Sequence, residues 1–432
     1  MSVQSSPSPY AAAASATSST QQLSTSDELL PKDKDKQSAG PQSRPVRQAS
    51  IDIYRGAVMF LMMAEVMELM HLAKIYPDSS WAQWLRFNTT HVQWVGLSLH
   101  DMIQPSFSFL VGVSLPFSIL ARRARGQLFG ATVWHAAWRS VILISLGILL
   151  RSLGKEQTNF TFDDTLTQIG LGYFALFLLA HASRGVQIGA TLLILVGYWA
   201  LFAAWPLPPS GFDWRTVGIA NDWPHLLGGF EAHWNKNLNP AGAFDQWFMN
   251  LFPREKPYTY SPGGYCTLSF IPTLATMLLA VQAAGILRDG KSPGRKLLLL
   301  GSSGLLLLLA GWGLGELGVC PIVKRIWTPT WVLASGGLCF LTLGALFAIA
   351  DWRGWRKWAW PVMVIGANSI VAYVMSGTME GPIKAFLRRH LGEGPFGVAG
   401  EAWEPVLLGA SVLLVMWLIL LWLFRQRIFV RI

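Results

Sequence analysis

Ten mostly apolar runs recur along this chain, near 53–73, 100–121, 131–153, 165–182, 187–205, 266–287, 297–315, 331–350, 360–379 and 404–424. Crossing the hydrocarbon core of a bilayer takes roughly 20 residues of α-helix. Repeated runs of that size predict an all-α fold, a polytopic transmembrane helical bundle of about ten spans. A mean hydropathy of +0.37 and a charged fraction of 13% over 432 residues are too apolar for a soluble domain of this length. Gly112, Gly147, Gly172 and Gly344 lie inside runs, where they let helices approach closely. No internal repeat is clear enough to argue a transporter's inverted symmetry.

Residues 1–46 differ from the rest. They are rich in Ser, Ala, Gln and Pro and carry the cluster Lys32–Lys36, so they read as a disordered tail without an apolar run of signal-peptide length. Most of the 34 Lys and Arg residues fall in the tail and in short loops on its side, including Arg122, Arg123, Arg125, Arg184, Arg353 and Arg356. The positive-inside rule then places both termini in the cytoplasm and the start of the second run, with His91, outside. The +10 net charge is scattered among these loops. That suits membrane orientation and excludes the concentrated basic face of a nucleic-acid binder. Cys266, Cys320 and Cys339 are widely spaced, form no metal-ligand motif and read as packing residues; no metal is expected.

The stretch 91–112, HVQWVGLSLHDMIQPSFSFLVG, holds the strongest chemical candidates. His91 stands at the mouth of the run, and an imidazole exchanges protons near neutral pH. Asp101 is carried into the run, where a carboxylate needs a partner or a task. If 91–101 is helical, Trp94 and Ser98 share nearly one face with His91, and His100 points away and reads as structural. Ten residues of helix span roughly 15 Å, so Asp101 cannot touch His91 on one straight helix. Its expected partner is then deeper, with Arg139 or Arg151 as candidates. Asp52 and Arg55 pair at i, i+3 where the first run begins, read either as a local salt bridge beside a Ser50 N-cap or as a basic mouth for an anionic ligand. Gln168, Asn368 and Ser369 are polar groups inside runs, serving as helix-to-helix glue or lining a polar passage. Lys324, Trp327 and Thr328 meet a substrate or anchor the eighth run. The long loop 206–265 mixes Trp and Tyr with acidic residues, as interfacial aromatics or as a platform for sugar rings.

These motifs resemble the heparan-alpha-glucosaminide N-acetyltransferase family. His91, Trp94, Gly96, Leu97, Asp101, Pro105, Phe107, Phe109 and Gly112 occupy the positions of its H-x-x-W-x-G-L-x-x-x-D-x-x-x-P-x-F-x-F-x-x-G signature. RQASIDIYRG is similar to its opening through Arg47, Ser50, Asp52, Arg55 and Gly56, and VKRIWTPTW, IGANSIVAYV and FRQRIFVRI echo later segments. The resemblance covers roughly 47–432 and implies a transmembrane acyltransferase domain. Cytosolic acetyl-CoA would be the donor, and an amino sugar or glycan on the external face the acceptor. It implies His91 as the essential residue, with Asp101, Trp94, Gln168, Asn368 and Ser369 supporting it or lining the donor's path. One departure is Thr167-Gln168-Ile169 in place of the family's L-Q-R, so an arginine is missing. Loop 206–265 has no match in the lysosomal enzyme.

The sequence thus predicts an acetyl-CoA-dependent acyltransferase, spanning the bacterial inner membrane among its lipids. Arg55, Asp52, Arg122 and Arg123 are expected near the donor, and a homo-oligomer is left open. The rival readings are a proton-coupled transporter or flippase of a sugar or lipid-linked substrate, with His91 and Asp101 relaying protons, and a silent scaffold for glycan assembly. A reporter fused after Ile432 is expected to be active in the cytoplasm; periplasmic activity would overturn the topology and with it an external His91.

Overall fold

The computed structural model describes residues 48–430; the tail expected at 1–46 lies outside the described residues, as do Arg47 and Arg431. α1 (Ala49–Met63) opens where the backbone N–H groups of Ala49 and Ser50 donate to the Asp351 carboxylate at 2.9 and 3.0 Å. The expected Ser50 cap is therefore replaced by a carboxylate from late in the chain, which satisfies the same orphan N–H groups. The run continues through a 3-10 turn to Glu68, whose φ of +48° breaks it, and resumes as α2 (Leu72–Ile75) after a 52° bend. α3 (Ser80–Asn88) is short and leaves Trp81, Trp84 and Phe87 exposed.

α4 (Ile103–Arg123), α5 (Phe129–Ser152), α6 (Thr165–Leu179) and α7 (Arg184–Ala203) follow. α8 (Pro240–Phe248) lies in the long loop. α9 (Phe270–Arg288), α10 (Pro293–Glu316) and α11 (Pro329–Leu346) come next, then α12 (Trp360–Ala367) and α13 (Ser369–Thr378), bent by 70° at Asn368. α14 (Glu380–Leu391) and α15 (Glu404–Arg425) complete the bundle. No strand occurs among the described residues; one isolated antiparallel bridge joins Val95 to Val323.

Seven helices are long and apolar enough to cross a bilayer, and nine spans result if each bent pair counts once. The remaining expected run is α6, whose 15 residues reach only about 22 Å. Its N-terminus is fixed by Asp164, which accepts from Leu166 N and Thr167 N. The sequence pattern thus located every apolar helix, while the count of ten spans is not established.

α4 and α9 occupy the middle of the bundle, and α5 and α10 leave most of their surface outside, as lipid-facing helices do. Missing side chains make the central contacts. A Cβ on Gly112 of α4 would sit 2.1 Å from Met277 O of α9, and one on Gly56 of α1 would sit 1.9 Å from Val362 O of α12. Backbones meet here with nothing between them, the packing that bilayers favour because lipid supplies no hydrophobic drive between helices. Gly112→Val is expected to lower the thermal unfolding midpoint in detergent, since overpacking typically costs about 1–3 kcal/mol. An unchanged midpoint would show that the α4–α9 contact is not tight.

Candidate active site

The residues 89–99 form no helix. Gly96 holds φ at +126°, a conformation glycine adopts without the usual Cβ penalty, and its N–H donates to Ile322 O at 2.9 Å beside the Val95–Val323 bridge. The segment is thereby folded back against the turn that precedes α11. The straight-helix separation of His91 from Asp101 does not arise: His91 Nδ1 lies 2.8 Å from Asp101 Oδ1. Asp101 has neither Arg139 nor Arg151 as its ion-pair partner. Its partners are His91 and Lys324, whose Nζ donates to Oδ1 at 3.1 Å.

Asp101 is 1% exposed and is enclosed by donors. Val92 N donates to Oδ2 at 3.1 Å and Ser98 N at 3.3 Å, and Ser98 Oγ lies 2.9 Å from the same oxygen. Hydrogen bonds and an opposite charge so placed offset the cost of burying the carboxylate. Lys324 Nζ is also 3.1 Å from His91 Nδ1. The shorter contact assigns the Nδ1 proton to the carboxylate, so the lone pair rests on Nε2 of a ring that is 41% exposed. Burial pushes the Lys324 ammonium below the ordinary lysine value, and Asp101 opposes that shift. His100 does not point away from His91. The two rings lie 4.4 Å apart between centroids, and His100 Nε2 is 3.9 Å from Glu65 Oε1.

Trp94 is buried below this loop, donating from Nε1 to Trp234 O at 3.1 Å and meeting the Trp223 ring edge-on. Arg325, next to Lys324, donates to Val92 O at 3.4 Å and to Gly263 O at 2.5 Å, and lies over the Tyr265 ring. Through these contacts the loop 206–265 backs the His91 segment. Its aromatics divide. Trp234 is buried packing and Trp247 is exposed, whereas Tyr258, Tyr260 and Tyr265 line a cavity of about 220 Å³ with Trp205.

A larger cavity of about 700 Å³ lies between α1, α4, α5, α6 and α12–α13. Asp52 and Arg55 line it, 3.4 Å apart, with Arg55 Nη2 donating to Ser114 Oγ at 3.0 Å. Ser369 lines it too, but Gln168 and Asn368 are absent from its wall. Gln168 Nε2 instead donates to Phe162 O, Cys266 O and Thr267 O. Asn368 donates to Ile428 O at 2.9 Å and accepts from Val430 N at 3.0 Å, holding the chain beyond α15 against the helix break. Arg122 and Arg123 line a separate cavity of about 130 Å³. Arg139 and Ile169, the position of the missing arginine, both line the larger cavity. The Arg139 guanidinium lies 4.7 Å from the Tyr173 ring centroid, and its Nε has no hydrogen-bond partner among the described residues.

Burial pushes the Cys266 and Cys320 thiols up to about 12, so neither is a thiolate nucleophile at neutral pH. Among the described residues no group of three or more His, Cys, Asp and Glu side chains could hold a metal ion. The sequence alone missed the junction of Lys324 and His100 with His91. Signals for it were present in Gly96, which cannot be read as an ordinary helical residue, and in VKRIWTPTW, a basic turn between two spans.

No family model matches the chain. Among curated proteins it is 24% identical over 366 residues to heparan-alpha-glucosaminide N-acetyltransferase of Homo sapiens, covering 76% of this chain and 52% of that protein. It is 24% identical over 326 residues to the protein of the same name from Mus musculus, covering 67% and 49%. The chain thus spans about half the length of the curated relatives it matches. With an all-helical bundle built of apolar helices, it is a distant relative of the heparan-alpha-glucosaminide N-acetyltransferases.

Proposed function

We propose that this protein is a transmembrane acetyltransferase that takes its acetyl group from cytosolic acetyl-CoA and delivers it to an amine on an amino sugar or glycan outside. The observation that carries this reading is the 2.8 Å contact of His91 Nδ1 with a buried, multiply bonded Asp101. A carboxylate behind an imidazole fixes its tautomer and stabilises the cation that forms when Nε2 accepts a proton. His91 is then the general base. As the amine nitrogen bonds to the acetyl carbonyl carbon, its proton passes to Nε2. The C–S bond breaks, CoA departs as a thiolate, and the proton held on Nε2 returns through solvent to protonate it, which restores the neutral imidazole.

The larger cavity is the proposed donor site. Its volume of about 700 Å³ falls within the usual range for ligand pockets, roughly 300–1,000 Å³. Arg55 and Arg139 supply positive charge for phosphate, and Leu110, Met59 and Phe107 supply apolar wall for a pantetheine arm. Arg139 offers a basic group to the cavity that Ile169, at the L-Q-R arginine position, also lines. Arg122 and Arg123, in their own small cavity, are assigned at most to the approach of the anion. Phe107 lies six residues along the chain from Asp101, about 9 Å of helix. The basic short loops supply the orientation, with the cavity's Arg55 end inside.

His91→Ala is expected to lower acetyl transfer by on the order of a hundred- to ten-thousand-fold while acetyl-CoA still binds. Arg139→Ala should weaken acetyl-CoA binding, measured by calorimetry on the detergent-solubilised protein, with its thermal midpoint unchanged. Near-normal transfer by the His91→Ala protein on a panel of amino sugars would falsify the catalytic reading. Unchanged affinity in the Arg139→Ala protein would remove the cavity as donor site.

A further inference from the structure

The cavity of about 220 Å³ in loop 206–265 is lined by a carboxylate that is only half satisfied. Asp245 lies on α8, whose start is fixed by the Asn239 side chain accepting from Gly242 N at 2.9 Å. Asp245 is 2% exposed, and its Oδ2 accepts from Thr267 N at 2.9 Å. Its Oδ1 is buried and has no hydrogen-bond partner among the described residues. A buried acceptor left unpaired is costly, more so when it is charged, and it calls for a donor from elsewhere. Burial pushes the Asp245 carboxyl up to about 6, which still leaves a carboxylate at neutral pH.

The walls around this oxygen combine flat rings with polar groups. Tyr258, Tyr260, Tyr265 and Trp205 supply the rings, and Gln246 and Thr216 stand exposed at the rim. Two of the rings are braced by guanidinium groups, Arg254 over Tyr258 at 5.3 Å and Arg325 over Tyr265 at 5.1 Å. Asn237 ties two walls together, its Nδ2 donating to Val217 O at 2.8 Å and to Ser261 O at 3.0 Å. A sugar ring suits such a pocket. Its C–H face packs on an aromatic ring, and its hydroxyls supply the donor that Asp245 Oδ1 lacks. Ordinary ligand pockets measure roughly 300–1,000 Å³, so this smaller volume fits one ring rather than a chain.

The ring held here is not the one that reacts. An amine set against Asp245 would be kept as its ammonium, with no lone pair to attack a carbonyl. No histidine lines the cavity. Yet the cavity adjoins the His91 loop. A Cβ on Gly264, in its wall, would sit 2.8 Å from Trp94 Cζ3, and Arg325, which braces Tyr265, also donates to Val92 O at 3.4 Å. We propose that this cavity is a sugar subsite, in which Asp245 accepts a hydroxyl hydrogen from a ring of the acceptor other than the one that carries the reacting amine. The acceptor is then an oligosaccharide. Its part in transfer rests on the acetyltransferase reading, whereas the binding of a sugar ring can be read without any transfer.

Methyl glucoside, methyl galactoside and methyl mannoside carry no amine and probe the cavity directly. Saturation-transfer NMR on the full chain in lipid nanodiscs, free of sugar-headed detergent, should show at least one of them bound. Asp245→Asn keeps an acceptor for Thr267 N and should weaken that binding about ten- to a hundredfold, the loss expected for a hydrogen bond to a charged group. Tyr260→Ala should weaken it as well and serves where Asp245→Asn fails to fold. Trp247→Ala, exposed and outside the cavity wall, should leave it unchanged. In transfer assays, kcat/KM for glucosamine linked to a second hexose should exceed that for glucosamine alone. Asp245→Asn should erase this preference by raising KM for the two-ring acceptor only. Absence of glycoside binding, binding unmoved by both variants, or capture of ethylammonium in place of the glycosides overturns the subsite. Equal kcat/KM for the one-ring and two-ring acceptors overturns its part in transfer. If glycoside binding is lost in the variants while His91→Ala retains transfer, the subsite stands and the catalytic reading falls.

Discussion

A single buried carboxylate organises the end of the bundle where His91 and Lys324 meet. Asp101 gathers an imidazole, an ammonium, two backbone N–H groups and a hydroxyl from segments that are distant in the chain or run in different directions. Leaving either buried charge, Asp101 or Lys324, unpaired in such a place costs several kcal/mol, because desolvation is then uncompensated. The loop 89–99 and the turn 323–328 are thus tied to α4 by electrostatics as well as by the Val95–Val323 bridge. Without Asp101, the His91 loop would keep its backbone contacts, the Arg325 donation to Val92 O and the cover of loop 206–265, but would lose the carboxylate that ties it to α4.

The apolar part of the molecule obeys a different constraint. Gly56, Gly112 and Gly409 each bring a helix backbone against the carbonyl of another segment. Close approach at these points draws α1, α4, α9, α12 and α15 together. It leaves the space between α1, α4, α5 and α6 unfilled, and there the larger cavity lies. Tight contact on one face of α4 and open volume on another are two results of the same packing. The arginines that face this volume project from α1 and α5, so their desolvation is eased by Asp52, Ser114 and the Tyr173 ring.

Much of this was legible in the residues. Hydropathy located every apolar helix, because period and length alone identify a helix in lipid. His91 and Asp101 were visible as costly groups at a run's edge. Their contact was not, because a helix was assumed where Gly96 and a cross-chain bridge impose a reversal. Lys324 was singled out beside the eighth run, but its contact with Asp101 was not legible for the same reason: a partner 223 residues away is set by tertiary contact, on which periodicity is silent. Asn368 and Gln168 show the opposite failure. Each is buried and polar as read, but each spends its hydrogen bonds on backbone, which is the common fate of buried amides. Ser369, adjacent to Asn368, does face the cavity, so one residue of register separates a structural amide from a lining hydroxyl.

α4 joins the His91 cluster to the larger cavity. Its first turn follows directly from Asp101, and Phe107, Leu110, Ser114 and Ser118 then descend the cavity wall at helical spacing. Pro105 falls in the first turn of α4, where proline is tolerated. Pro116 lies deeper and releases the carbonyl of Gly112, four residues before it, at the tight contact with α9. A helix anchored at one end by a multiply bonded carboxylate and at its middle by backbone packing is a rigid rule between cavity and imidazole. Groups set on such an element hold their spacing better than groups on loops. The fixed interval along α4, rather than either site alone, is therefore what a donor reaching from one end toward a base at the other would have to match.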